Sequence, residues 1–234
     1  MNVLADAITR DRRSDRPALS VPAAGRSYDY RRFCTSAWKT GNFLRLLGVR
    51  EGVGVAVADD PAAEPVLTLY GAAALGAVVR FGPSRDIDDG TRALVVPAAD
   101  LDAYDVGPAT KRVVYGDPPT DPSVSYFERD VWSENPTEPP NHVAVDDPLF
   151  RVDGDRYTHG ATLAAARAVV DAHGIGPETA VAVRDPFDDP TTVVAGLVAP
   201  VIAGATVAVG PESEGDLTVG GPDGDVDPVG IDPE

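Results

Sequence analysis

Few side chains in this sequence sit at spacings that chemistry would use. Asp223, Asp225, Asp227 and Glu234 fall at positions 1, 3, 5 and 12 of a calcium-loop spacing. Pro228 stands where such a loop needs its turn glycine, so a solvated acidic stretch is the expected reading. Gly71 to Gly76 has the glycine spacing of a phosphate loop, but Ala77 follows in place of lysine, inside a helical pattern. Gly174-Ile175-Gly176 comes after a helix rather than a strand, which argues against a dinucleotide-binding turn. No G-x-S-x-G nucleophile elbow occurs. Cys34 lies on the apolar face of a predicted helix and reads as core. As the lone cysteine it rules out an internal disulfide and a cysteine-based zinc site. His142, His159 and His173 cannot make a histidine-rich metal site. His159 and His173 fall near opposite ends of one predicted helix and read as solvated surface. Asp86, Asp88 and Asp89 read as an acidic loop. Arg80, Arg151, Arg156 and Arg184 are candidate anion contacts, weighed against ordinary surface ion pairing. No residue is assigned a catalytic, cofactor-binding or metal-binding role, and no cofactor is expected.

The charge of the chain excludes further classes. Its 234 residues hold 20 cations against 37 acids, a formal net charge of −17. Such a chain repels phosphate backbones and anionic membranes, so nucleic-acid and membrane-surface binding are not expected. Only Lys39 and Lys111 are lysines; the other 18 cations are arginine, and aspartate outnumbers glutamate 28 to 9. Short, strongly hydrated carboxylates keep a protein dispersed in molar salt, where Coulomb repulsion is screened within about 3 Å. The composition points to a salt-in halophile; an acidic protein from a GC-rich genome is the blander alternative. The N-terminal stretch has no apolar segment of the signal-peptide type, and a cytoplasmic location is expected.

Any such residue must be held by elements that the hydrophobic pattern can place. Asn2–Arg10 is a short helix candidate, and Ala18–Val21 with Arg26–Tyr28 reads as a hairpin. From Tyr30 to Leu47 apolar residues recur at steps of three and four, an amphipathic helix ended by Gly48. Val53–Ala58, Ala77–Phe81, Ala93–Val96 and Arg112–Tyr115 are short strands, with a small-residue helix over Ala62–Leu75. Leu149–Val152, Asp153-Gly154-Asp155 and Arg156–Tyr157 form a second tight hairpin, followed by a helix over Ala161–His173 that Gly174 caps. Ala180–Val183 and Ala205–Val209 are strands around a helix over Thr191–Ala203 interrupted by Pro200. The alternation predicts an α/β fold, a parallel sheet flanked by helices. Residues 1–116 make the first α/β unit, 117–148 a Pro-rich connecting segment, and 149–210 a second part of the same domain. Residues 211–234, rich in glycine, proline and acid, are expected as a disordered tail.

An ordered set of short strings adds a resemblance. Arg16-Pro17-Ala18-Leu19, Gly25-Arg26-Ser27-Tyr28-Asp29-Tyr30-Arg31, Leu47-Gly48-Val49 with Gly52, and Gly76-Ala77-Val78-Val79 leading to Pro83 follow one another at the right intervals. Together they resemble the start of the adenylate-forming superfamily, the acyl-CoA synthetases and related AMP-binding ligases. Asp146-Asp147-Pro148-Leu149, Tyr157-Thr158-His159-Gly160 and Ala203-Gly204-Ala205-Thr206-Val207 are similar to later landmarks of that family. The resemblance implies the fold of that superfamily's N-terminal subdomain.

Where the family carries a Ser/Thr/Gly-rich loop with a lysine, this sequence has Phe150-Arg151-Val152-Asp153-Gly154-Asp155-Arg156. Such loops hold ATP phosphates because glycine lets N–H groups converge on an anion and the lysine offsets its charge. Here two aspartates take that place, and no lysine follows Lys111. The family's adenine-site motif, ribose-binding aspartate and C-terminal lysine have no matching positions. The resulting expectation is a catalytically inactive, truncated homologue acting as a non-enzymatic binding or regulatory module. Its partner would be a ligase-like chain or a second copy, met through the apolar helix 191–203. One half of a split acyl-CoA ligase and a standalone acyl- or nucleotide-binding protein are the alternatives.

Overall fold

The computed structural model describes residues 1–140 and 142–233. The first hairpin pairs β1 (Pro17–Val21) with β2 (Arg26–Asp29) and runs straight into helix α1 (Tyr30–Leu46). Asp29 caps that helix, its side chain accepting the Arg32 N–H at 2.6 Å. Three parallel strands follow, β3 (Gly54–Val57), β4 (Val78–Phe81) and β5 (Thr91–Pro97), with helix α2 (Ala63–Ala73) between the first two. After β6 (Lys111–Tyr115), the short strand β7 (Ser125–Tyr126) leads into α3 (Phe127–Ser133), inside the segment expected as a connection. A second hairpin, β8 (Pro148–Val152) and β9 (Asp155–Thr158), again runs directly into a helix, α4 (His159–His173). Strand β10 (Ala180–Val183) precedes a π-helical turn (Thr192–Val198), helix α5 (Ala199–Ala203) and β11 (Thr206–Val209).

The strands lie in two sheets. One has the order β7-β6-β5-β3-β4-β8-β9 and is parallel except for its β9 edge. The other has the order β12 (Leu217–Val219)-β10-β11-β1-β2 and is parallel except for β2. Each hairpin thus closes the sheet built mainly from the other part of the chain: β1 pairs with β11, and β8 with β4. Strand β12 (Leu217–Val219) corrects part of the tail expectation. It falls within 211–234, yet pairs in parallel with β10 and is anchored by the Asp225 carboxylate accepting the Thr218 N–H at 2.7 Å.

Helices α1 and α2 bring the two sheets onto one core. Trp38, Tyr30, Phe33 and Tyr70 are fully buried, and Phe33 meets Tyr70 edge-on at 5.1 Å. Their polar ends find backbone acceptors in distant segments. The Tyr30 hydroxyl donates to the Ala205 carbonyl, that of Tyr70 to Leu197, and the Trp38 indole N–H to Ile8. The helices approach closely because Gly41 faces Gly71; a Cβ on Gly41 would stand 2.9 Å from the Gly71 carbonyl oxygen. The predicted helix over Thr191–Ala203 takes π geometry before Pro200, with the Ala199 N–H bonded to Val194. Proline removes a donor and crowds the preceding turn, and a wider turn relieves both.

Candidate functional site

The β8–β9 hairpin occupies the interval where the resemblance expects a phosphate loop. Val152 pairs with Asp155, so only Asp153 and Gly154 make the turn. Their φ values, 50° and 97°, are those of a type I′ turn. Asp153 is the one non-glycine with positive φ among the described residues, and aspartate tolerates that region better than most side chains. Phe150 and Tyr157 stack across the hairpin at 4.7 Å and fix its register. A two-residue turn leaves no run of converging N–H groups, and both flanking carboxylates are exposed. The turn has neither the donors nor the cation that hold a triphosphate.

Thr158 ends the hairpin and caps α4, its hydroxyl accepting the Ala161 N–H at 3.1 Å. His159, the next residue, corrects the surface expectation: it is fully buried. Its Nδ1 accepts the Leu4 N–H at 3.0 Å, which tethers the N-terminal turn to α4 and puts the ring proton on Nε2. That Nε2 has no partner among the described residues. Burial pushes the imidazole pKa down to about 4, although Asp147 and Asp6 pull the other way. His142 and His173 are exposed and converge on nothing. Burial also drives the Cys34 thiol up to about 12, which keeps it protonated and unreactive.

Ligands of parallel sheets gather outside the carboxyl ends of the strands. In the larger sheet that end is acidic. The Tyr115 hydroxyl, at the end of β6, donates to the Asp60 carboxylate beyond β3. Burial raises the pKa of both, most of all the tyrosine. Asp188 and Asp59 converge on the same side of Gly82, and burial, then Asp59, raises Asp188. Beside them the fully buried Glu64 is held by Arg26 at 2.5 Å.

The remaining expectations resolve as follows. The helix 191–203, named as a partner-facing surface, lies inside the core: Val193 through Ala195, and Leu197 through Ala199, are fully buried. Its small side chains pack against β10, where a Cβ on Gly196 would meet Val183 at 2.9 Å. Arg184 donates to the Ser213 carbonyl and serves the fold. Glu234, the last position of the calcium-like spacing, lies outside the described residues. Asp225, its third position, is committed to β12, and no cluster of the described residues could hold a metal ion. Sequence reasoning missed the burial of His159 and the Asp60–Tyr115 pair. The apolar pattern of β6 ending in tyrosine, opposite Asp59-Asp60, was the available signal for the second.

No family model matches the sequence, and no curated protein does. Solved structures do match in fold. The chain superposes on the anthranilate CoA ligase AuaEII in complex with anthranoyl-AMP with a TM-score of 0.76 at 20% identity, covering 90% of this chain and 45% of that one. The N-terminal domain of FACL13 from Mycobacterium tuberculosis gives 0.74 at 20% identity, over 92% of this chain and 58% of that one. The nonribosomal peptide synthetase FmoA3, bound to α-methyl-L-serine-AMP, gives 0.73 at 19%, over 88% and 24%. The chain has the α/β fold of the N-terminal part of these adenylate-forming enzymes and spans between 24% and 58% of their chains. No described helix is long and apolar enough to cross a membrane.

Proposed function

We propose that this chain is a non-adenylating binding or regulatory module built on the fold of an adenylate-forming ligase. The observation that carries the reading is the Asp153-Gly154 turn. The segment that would cradle a triphosphate is a closed hairpin flanked by carboxylates. Adenylate formation stabilises charge on a triphosphate in flight and needs preorganised cations and N–H donors. The two-residue turn supplies neither a run of N–H donors nor a lysine. The module works in a salt-rich cytoplasm, where its net charge keeps it dispersed. Its partner is a ligase-like chain or a second copy.

The test is the native mass in molar KCl, followed by pyrophosphate exchange on whatever assembly is found. The reading expects an assembly heavier than one chain and no exchange from this chain alone. A strict monomer would remove the partner, and exchange appearing only in the assembly would replace this reading with that of a split ligase.

A further inference from the structure

The strand register places three arginines side by side. Arg80 on β4 is the direct partner of Arg151 on β8, and Arg151 is the direct partner of Arg156 on β9. Neighbouring strands lie about 4.8 Å apart, so the row spans about 10 Å along the hydrogen-bonding direction. All three point away from the helical core. Arg80 alternates with the buried Val79 and Phe81, Arg151 follows the buried Phe150, and Arg156 precedes the buried Tyr157. On this face the sheet carries only a small apolar cluster around Leu94 and Val96, and the β4-β8-β9 side of it is left to the arginines.

Like charges directly opposite one another destabilise a sheet, and this chain has acids to spare. Yet among the described residues neither Arg151 nor Arg156 has a carboxylate within ion-pair distance. Arg80 reaches only Asp88, at 3.8 Å, and that carboxylate already accepts from the Gly90 N–H and the Thr91 hydroxyl. The Arg151 Nε is buried without an acceptor, an unmet donor that folded proteins rarely leave. The three arginines, together with Asp88, line a cavity of about 260 Å3 bordered by Gly54, Val55 and Val78. That is below the roughly 300–1,000 Å3 of sites that enclose drug-sized ligands.

From this geometry we infer a binding site for a small, multiply charged phosphate anion, inorganic phosphate or pyrophosphate in size, on the arginine row of β4, β8 and β9. Guanidiniums bind phosphate oxygens in a bidentate manner, and an anion among the three separates their like charges. The site is independent of the non-adenylating reading, since it makes no use of the hairpin turn.

Phosphorus NMR and calorimetric titration of the full chain with pyrophosphate and with phosphate, in molar KCl, test it. Sulfate serves as the comparison anion. The expected result is saturable binding, tighter for pyrophosphate than for sulfate and weakened at least tenfold by Arg151→Gln. Arg156→Gln, on an exposed edge strand, weakens it as well and covers the case in which Arg151→Gln fails to fold. Arg112→Gln leaves binding unchanged, because Arg112 on β6 is already held by Asp121 and Ser123. No saturable binding, equal binding of sulfate, or binding indifferent to the β8 and β9 variants would overturn the proposal. Pyrophosphate exchange reads a different property, so the two proposals fail separately.

Discussion

Acidifying the protein from pH 7 to pH 4 will release the N-terminal turn, and His159 sets the size of the effect. Its imidazole is neutral in the fold, with Nδ1 committed to the Leu4 N–H and the ring fully buried at the start of α4. Protonation would remove that acceptor and place a cation in the core at the positive end of a helix. The folded pKa is about 4, against an unfolded value of about 6.5. Between these values the unfolded chain binds the extra proton, so the contribution is complete above pH 6.5 and is lost as pH falls. Linkage gives a loss of about 2 kcal/mol at pH 5 and about 3 kcal/mol at pH 4. Asp60, Glu128 and Asp188 act with the opposite sign, because their raised pKa values make the fold bind protons more readily than the unfolded chain. A comparison with His159→Asn removes them: asparagine keeps an acceptor near the Nδ1 position, does not titrate, and leaves these carboxylates in place. Denaturant unfolding of both proteins at several pH values, at constant molar KCl, is the assay. The stability difference between them should shrink by about 3 kcal/mol from pH 7 to pH 4. Parallel pH profiles would refute a buried neutral imidazole.

Three further outcomes follow from the packing and the charge. Gly41→Val drives a side chain into the Gly71 carbonyl and Pro139; it should cost about 1–3 kcal/mol in denaturant unfolding. Tyr115→Phe strips the half-buried Asp60 carboxylate of its hydroxyl donor, costing about 1 kcal/mol. Carboxyl NMR titration should then show the Asp60 pKa higher than in the parent chain. The thermal midpoint should rise as KCl is brought from dilute to molar, since salt screens a net charge of −17; a midpoint indifferent to KCl would remove the halophilic reading.

Local pattern carried the elements well, and long-range pairing carried the site poorly. The period of three and four that predicts Tyr30–Leu47 is α1 to within a residue, because its apolar face meets a large core. The hairpin at 148–158 was legible from Asp-Gly between β-formers, since a type I′ turn demands positive φ at both positions. Strand β12 was not, because three residues of Leu-Thr-Val amid glycine, proline and acid have no period to read. His159 looked like surface because it falls near one end of a predicted helix. In the fold it meets Leu4, more than 150 positions away in the chain. The helix 191–203 was legible as a helix but not as an interior one, because an element apolar all round fits a core and an interface equally. The arginine row lies deepest, since Arg80 and Arg151 become neighbours only through a register that no local pattern encodes. Even so, a sequence can expose the arginines as anion candidates, and the fold supplies their convergence.

The central claim is that a two-residue turn has replaced the phosphate cradle, and ATP–pyrophosphate exchange tests it most directly. The purified chain should be incubated in molar KCl with magnesium, ATP, labelled pyrophosphate and a panel of aryl, short-chain and long-chain carboxylic acids. The account predicts no label entering ATP with any acid. Exchange that depends on the acid added and is catalysed by this chain alone would contradict it.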